Sequence, residues 1–454
     1  MINGREAAGR RGLERLSHEP ACVRRGSGCT GSPTSNGRPE PLAWLVVHRR
    51  ALLVGAPEHY PLRPDSVVGG EIYERELLRR LPAHGVELEI GLPRGLSGCV
   101  PSGWCVTVVR GARHVHWALA PFVYVPWLLA LDARRRPDLL RAGSVRVTGP
   151  SVLVARRLGV PVVLHQHHLE PRWRRLEAAI MRRADAVITV SEHSRAQLVA
   201  LGVPAAAIHV VPDGLDPPAA VAPADDAWPQ RAGLRLLHVG RLEPRKRPEV
   251  AVRALALLVR GGLDASLVLA GEGPMAAELA RLATALGVER RVRLEGRVSE
   301  ERKWGLYDAA ALLLFPSELE GFGIVAAEAH ARGLPVVAAA GTGTAEVVAD
   351  GRSGLLVPST PAAFAAAVQR LSDPAARTVM AAEARQIAAR FDWDTCAAAV
   401  AEIYVRVASG ADGINPLPAR RGRSRRRAPR LGRGRGRARA SSTRNGSPGR
   451  PARR

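Results

Sequence analysis

LRLLHVGRLEPRKRPEVAVRALALLVRGGLDASLVLAGEGP, residues 234–274, contains one complete structural unit. The apolar run 234–239 is short and stops at Gly240, as a buried strand does. After a basic turn, PEVAVRALALLVRGG (248–262) opens on a proline, repeats apolar residues at helical spacing and ends on paired glycines. ASLVLAGEGP (265–274) is a second apolar strand. Strand, glycine turn, helix and strand make a βαβ unit, in which both strands run parallel under the crossover helix.

The same grammar extends in both directions. A helix running to Gly287 and strands at 292–298, 311–317 and 335–340 continue the series. Upstream, ALLVGAP (51–57) reads as a strand. In VVGGEIYERELLRRLPAHGVELEIGLP (67–93), Ile72, Leu77, Leu78 and Leu81 fall at helical spacing, Gly85 stops the helix and VELEI alternates. Strands are expected within 144–150, 160–168, 184–191 and 207–216, with a helix over 152–159 and another from 192. Residues 217–232, rich in Pro, Ala and Asp, read as a linker. The prediction is an α/β chain of two facing Rossmann-like domains with parallel sheets, at 49–216 and 233–390, followed by a last helix at 391–410. Residues 1–48 and 411–454 lack apolar periodicity and are expected to be a disordered leader and a disordered Arg-rich tail.

The net charge of +24 invites a nucleic-acid reading, but its location argues otherwise. Fifteen arginines and no acidic residue lie in 413–454, and nine arginines against four glutamates in 1–50, so the body is nearly balanced. Aromatics at 4% offer no stacking platform for single strands. Only two of the 66 basic residues are lysines, Lys246 and Lys303, and no Asn occurs between 51 and 412. Compositional drift toward arginine makes each surviving lysine informative. The five cysteines form no CxxC pair, which fits reduced thiols in a cytoplasmic protein and no zinc site. The apolar stretch 115–131, with His116, Pro121 and Pro126 inside it, is shorter than the ~20 residues of a spanning helix and reads as a buried or surface-docking helix.

Chemistry concentrates at the ends of the C-terminal strands. GRLEPRK (240–246) puts Arg241 and Lys246 at the edge where open parallel sheets bind ligands; Arg forks around phosphate and Lys supplies a point charge. PSELEGFGIVAAEAHARGLPVVA (316–338) ends a strand, turns through a glycine loop and starts a helix. Glu320 precedes that helix and Glu328 lies about two turns into it. The first-turn N–H groups near Gly323, Ile324 and Val325 form an anion cradle, and ionised glutamates flanking it can accept sugar hydroxyls.

GRLEPRK, GEGP and PSELEGFGIVAAEA, with DGRSGLLVP and the earlier VVGGE, VITVS and VPDGLD, resemble in their order the retaining family 4 glycosyltransferases of the GT-B fold, over roughly 51–405. The resemblance implies a donor nucleotide on the C-terminal domain, an acceptor on the N-terminal one, and 391–410 crossing back. Carried over, Arg241 and Lys246 would grip the donor diphosphate, Glu320 the sugar hydroxyls and Glu328 the ribose. Phe322, Gly323, Ile324 and Val325 would present backbone to sugar and phosphate, and Gly70, at the tight first turn of the N-terminal domain, would let backbone approach the same phosphate. A family histidine at a strand end approaches the reacting sugar; His167 in LHQHHLEP (164–171) is the best match and His165 the alternate. The implied catalytic set is Glu320, His167, Arg241 and Lys246, with no metal and no cofactor. Arg247 stands where the family commonly has Gly, and Asp213 where it commonly has Asn.

The expected activity is transfer of a sugar from a UDP- or GDP-linked donor to a sugar, lipid or small-molecule hydroxyl, with retention. The expected location is cytoplasmic, with an anionic membrane surface as a peripheral partner and no specific nucleic acid. The rivals are a sugar-nucleotide epimerase or phosphorylase of the same fold, against which EGFG argues, and a nucleic-acid binder acting through its Arg tail. An NAD-dependent oxidoreductase lacks its GxGxxG.

Overall fold

A computed structural model describes residues 51–57, 69–93, 106–109, 120–145, 148–149, 157–167, 169, 171–229 and 233–410. The expected leader and tail, His168 and most of the helix expected over 152–159 lie outside the described residues.

Two wholly parallel sheets account for all the named strands. The first contains β1 (Leu52–Pro57), β2 (Val86–Pro93), β3 (Val106–Val109), β4 (Leu139–Ala142), β5 (Val162–Gln166), β6 (Ala186–Thr189) and β7 (Ile208–Val210), in the order β3-β2-β1-β4-β5-β6-β7. The second contains β8 (Leu234–Val239), β9 (Ala265–Ala270), β10 (Val292–Gly296), β11 (Leu312–Phe315), β12 (Val336–Ala339) and β13 (Gly354–Val357), in the order β10-β9-β8-β11-β12-β13. Both orders reverse direction once, between β1 and β4 and between β8 and β11, and a crevice forms at such a switch point. Helices α1 (Gly69–Arg80), α2 (Ala120–Arg134), α3 (Arg174–Met181) and α4 (Glu192–Ala200) belong to the first half. Helices α5 (Pro248–Arg260), α6 (Ala276–Ala285), α7 (Glu300–Ala309), α8 (Ile324–Ala331), α9 (Pro361–Arg370) and α10 (Pro374–Ala388) belong to the second, and α11 (Trp393–Ser409) follows.

Local chemistry explains these elements. Helix α5 starts at Pro248 and buries Val250, Ala251, Ala254, Leu255 and Leu258 against Leu236, Leu267 and Leu269. The Leu/Val-rich strands β9 and β11 are buried throughout, as parallel strands under helices must be. Asp392 caps α11 by accepting from the Thr395 N–H at 2.7 Å, and Trp393, Ala397, Val400 and Tyr404 enter the core of the first half with Val54, Leu77 and Ile90. The terminal helix therefore does cross back. At the crossing, Leu215 N–H donates to the Phe391 carbonyl at 3.0 Å, so the two connections between halves run side by side.

Three expectations need correction. The central strand is Leu139–Ala142, while Ser144, Val145, Thr148 and Gly149 lie outside any strand, with the Thr148 N–H on the Ser144 carbonyl at 2.9 Å. A strand with a buried arginine at its centre, Arg141, does not read as apolar. Gly70 lies within the first turn of α1, half-buried and without a positive φ, rather than in a left-handed glycine turn. The segment 217–232 is more than a connector: Ala224, Ala227 and Trp228 join the second core, and the Trp228 indole donates to the Leu236 carbonyl at 3.3 Å.

Candidate active site

The loops after β8, β9 and β11 are stitched together at the C-terminal edge of the second sheet. Leu242 N–H donates to the Glu272 carbonyl at 2.9 Å, and Met275 N–H returns to the Leu242 carbonyl at 3.0 Å. Glu318 N–H and the Ser317 hydroxyl both donate to the Arg245 carbonyl at 3.3 Å. This brings Lys246, the last residue of a 3₁₀ turn, onto Glu320: ammonium and carboxylate form an ion pair, with the ammonium 5.6 Å from the Phe315 ring centre. The residues expected to grip phosphate and sugar thus meet directly. Arg241 is not part of that ion pair: its side chain is 55% exposed and paired with Glu243 at 3.3 Å.

Arg247 next to Lys246 has φ 53° and ψ 41°, the one non-glycine positive φ among the described residues. The position where the family commonly has Gly thus holds an arginine in left-handed backbone. Its guanidinium is held by Glu249 at 2.8 Å and by Glu318, which offsets the cost of left-handed backbone.

Helix α8 begins behind Gly323, at φ 90°. A Cβ on Gly323 would lie 2.8 Å from the Thr344 hydroxyl, so glycine is required twice over. Ile324 and Val325, in the first turn, have N–H groups with no earlier carbonyl to meet. The Phe322 ring turns inward, edge-on to Phe391 at 5.0 Å, leaving its backbone to the loop. Glu328 is buried and doubly held: Lys303 reaches Oε1 at 2.8 Å and the Tyr307 hydroxyl donates to Oε2 at 2.8 Å. Burial alone would depress the Lys303 ammonium, but Glu328 and Glu300 more than reverse this and hold it above the usual lysine range.

The first half meets the same loop. A Cβ on Gly321 would lie 1.7 Å from the His167 carbonyl, so the end of β5 packs straight onto the residue after Glu320. Ser191, the N-cap of α4, donates to the Gly321 carbonyl, and the His193 N–H donates to Glu346 at 2.8 Å. His167 is partly exposed, 3.8 Å from Asp213 and edge-on to Tyr73 at 4.1 Å. Burial raises Asp213 to about 7. His165 differs: fully buried, it bonds the Tyr73 hydroxyl at 3.1 Å and the Tyr404 hydroxyl at 2.7 Å. Of the two histidines, the geometry leaves His167 beside the loop and gives His165 a core role. A cavity of about 460 Å³ lined by Val211, Phe322, Glu346, Phe391 and Cys396 lies behind the loop, away from the Lys246 and Glu328 pairs.

Residues 231–387 match the family described as Glycosyl transferases group 1, and residues 67–218 match Glycosyltransferase Family 4. The D-inositol 3-phosphate glycosyltransferase 2 of Catenulispora acidiphila is 33% identical over 417 residues, covering 81% of this chain and 95% of that one. The glycogen synthase of Mycobacterium tuberculosis is 33% identical over 299 residues, covering 62% of this chain and 72% of that one. Among solved structures, sucrose-phosphate synthase from Thermosynechococcus elongatus shares the fold at a TM-score of 0.68 and 24% identity, covering 79% of this chain and 100% of that one. HepE from Anabaena, solved with UDP-glucose, shares it at 0.64 and 22%, covering 78% and 99%.

Proposed function

The chain belongs to the group 1, family 4 glycosyltransferases, and from that premise we propose that it takes a sugar from a nucleoside-diphosphate donor and places it on an acceptor hydroxyl with retention, using no metal. The observation that carries this reading is the convergence of Lys246, Glu320 and the start of α8 at one sheet edge, against His167. The bond from the anomeric carbon to the diphosphate breaks as the acceptor oxygen bonds to the same face, and the acceptor proton passes to a diphosphate oxygen. Lys246, Arg241 and the α8 N–H groups stabilise the leaving diphosphate where negative charge grows. Glu320 accepts from sugar hydroxyls and Glu328 from the ribose, while His167 stands on the acceptor side. Phe322, Gly323, Ile324 and Val325 contribute backbone, and Gly70, within the first turn of α1, leaves backbone there able to approach the same phosphate.

The test is a donor screen that reads released UDP, GDP or ADP across common sugars, with D-inositol 3-phosphate and glycogen among the acceptors because relatives carry those names. Donor cleavage with none of the three would end the proposal.

Helix α2 supports a peripheral membrane contact. Tyr124, Trp127, Leu128 and Leu131 face the core, yet the opposite stripe, Phe122, Pro126, Leu129, Ala130 and Ala133, is also apolar and exposed, and Arg134–Arg136 follow it. No helix among the described residues is long and apolar enough to cross a membrane. An apolar stripe ending in arginines fits the interface of an anionic bilayer. Sedimentation with anionic liposomes tests this: Phe122→Asp should abolish pelleting at low salt, and equal pelleting of both proteins would contradict it.

A further inference from the structure

Two lysines among 66 basic residues would be a curiosity of composition, except that each touches one of the two site glutamates. Lys303 lies on α7, and Tyr307 one turn further along the same face; both point at Glu328 on α8. Helix α7 is fixed by buried Trp304, Leu306 and Tyr307 and capped by Ser299, which accepts from the Arg302 N–H at 3.1 Å. The clamp therefore rests on a rigid support. Lys303 is also bonded to Glu300, at 2.9 Å, and its ammonium lies 5.7 Å from the Trp304 ring centre.

An arginine here would close its planar fork on both carboxylate oxygens at once. An ammonium is a point donor and takes one, which leaves Oε2 to Tyr307 and the remaining lone pairs of Glu328 to another partner. In a chain that otherwise uses arginine for its cations, that distinction gives a physical reason for lysine at 303.

We infer that Lys303 and Tyr307 are positioning residues for the donor, holding the Glu328 carboxylate in the one orientation that leaves acceptor sites for the vicinal hydroxyls of the nucleotide ribose. This rests on the reading of Glu328 as the ribose-binding group. If Lys303 served only to neutralise a buried carboxylate, arginine would replace it; if it positions the carboxylate, arginine keeps the charge and the fold but blocks the ligand.

The experiment is calorimetric binding of UDP, GDP and ADP to the full chain, then of the 2′-deoxy form of whichever binds tightest, with melting temperatures in parallel. The wild type should prefer the ribonucleotide by about tenfold or more, the range of a hydrogen bond to a charged group. Glu328→Gln should bring the two forms nearly level. Lys303→Ala should do the same, and so should Lys303→Arg, with a melting temperature near that of the wild type. Tyr307→Phe should narrow the preference less. If Lys303→Arg and Tyr307→Phe keep the wild-type preference while Glu328→Gln loses it, the positioning role is wrong and Glu328 stands alone. If Glu328→Gln keeps the preference, or the wild type shows none, the ribose reading of Glu328 fails and the inference with it.

Discussion

The two sheets share a topology, yet their C-terminal edges are furnished in opposite ways. At the first, the polar groups are buried and the rings among them neutral: burial, with Arg141 and His167, holds the His165 imidazole well below its usual range, and burial holds the Tyr73 phenol well above its own. They join a chain of hydrogen bonds from Tyr73 through His165 to Tyr404 on α11, where Arg141 donates at 3.0 Å and is itself paired with buried Glu74 at 2.6 Å. At the second edge the groups are charged and matched in pairs, Lys246 with Glu320, Lys303 with Glu328 and Arg247 with Glu318. A buried network anchored on one internal ion pair fixes a surface. Ion pairs at a loop edge offer both signs, which suits the proposed donor, anionic at one end and rich in hydroxyls at the other. One fold thus yields a buried polar wall on the first sheet and a charged edge on the second, the wall and edge that the proposal gives to acceptor and donor.

The strongest challenge to this contrast removes a donor-side cation. Lys246→Ala should cut turnover by about 10²-fold or more, the usual cost of losing one preorganised charge-stabilising donor, and Arg241→Ala somewhat less because it is more exposed. Unchanged turnover with a folded protein would break the assignment. The glutamates sharpen it. Glu320→Gln should lower kcat more than it raises the donor KM, because the proposal sets it on the sugar that changes shape, whereas Glu328→Gln should act mainly on KM, each by about 10-fold. Steady-state kinetics showing the reverse split would exchange their roles.

The pH dependence of stability separates the halves further. Burial lowers His238 to about 4, aided by Lys246 and opposed by a hydrogen bond to the Leu314 carbonyl. The unfolded chain takes up a proton near 6.5 that the folded chain refuses. This contribution is therefore complete above 6.5 and lost as pH falls toward 4, by roughly 3 kcal/mol. In urea titrations His238→Phe should remove that acid sensitivity; a variant as acid-labile as the wild type would refute it. Asp213 has the opposite sign. Raised by burial to about 7, it holds a proton that the unfolded chain releases near 3.8, so stability falls as pH rises between those values. Asp213→Asn should remove that slope. The smallest effect is expected at Arg247→Gly: relief of a left-handed backbone, about 1 kcal/mol, is nearly cancelled by the loss of two exposed ion pairs. A melting temperature shifted by more than a few degrees would mean the turn is held by something else.

The donor side was the more legible half in sequence because apolar strands there end in short loops whose charged residues sit next to the glycines that place them. The acceptor side hid its central strand behind Arg141, whose partner Glu74 lies 67 residues away. No local pattern announces such a pair. The rarity of lysine marked Lys303, but only the packing of α7 on α8 shows what it holds, across 25 residues of chain. The split between His165 and His167 was equally illegible, since it depends on two tyrosines, one of them on a helix 239 residues later. The fold sets Asp213, which stands where the family commonly has Asn, beside His167, a neighbour 46 residues away that no local pattern shows.

The most direct test of the donor-side assignment is amide hydrogen exchange of the full chain with and without saturating UDP, GDP or ADP, whichever binds. Protection should appear in 240–247, 271–275 and 320–328, with little change in 162–167. Protection confined to the first sheet, with the loops after β8 and β11 exchanging as before, would contradict the claim that the charged edge holds the donor.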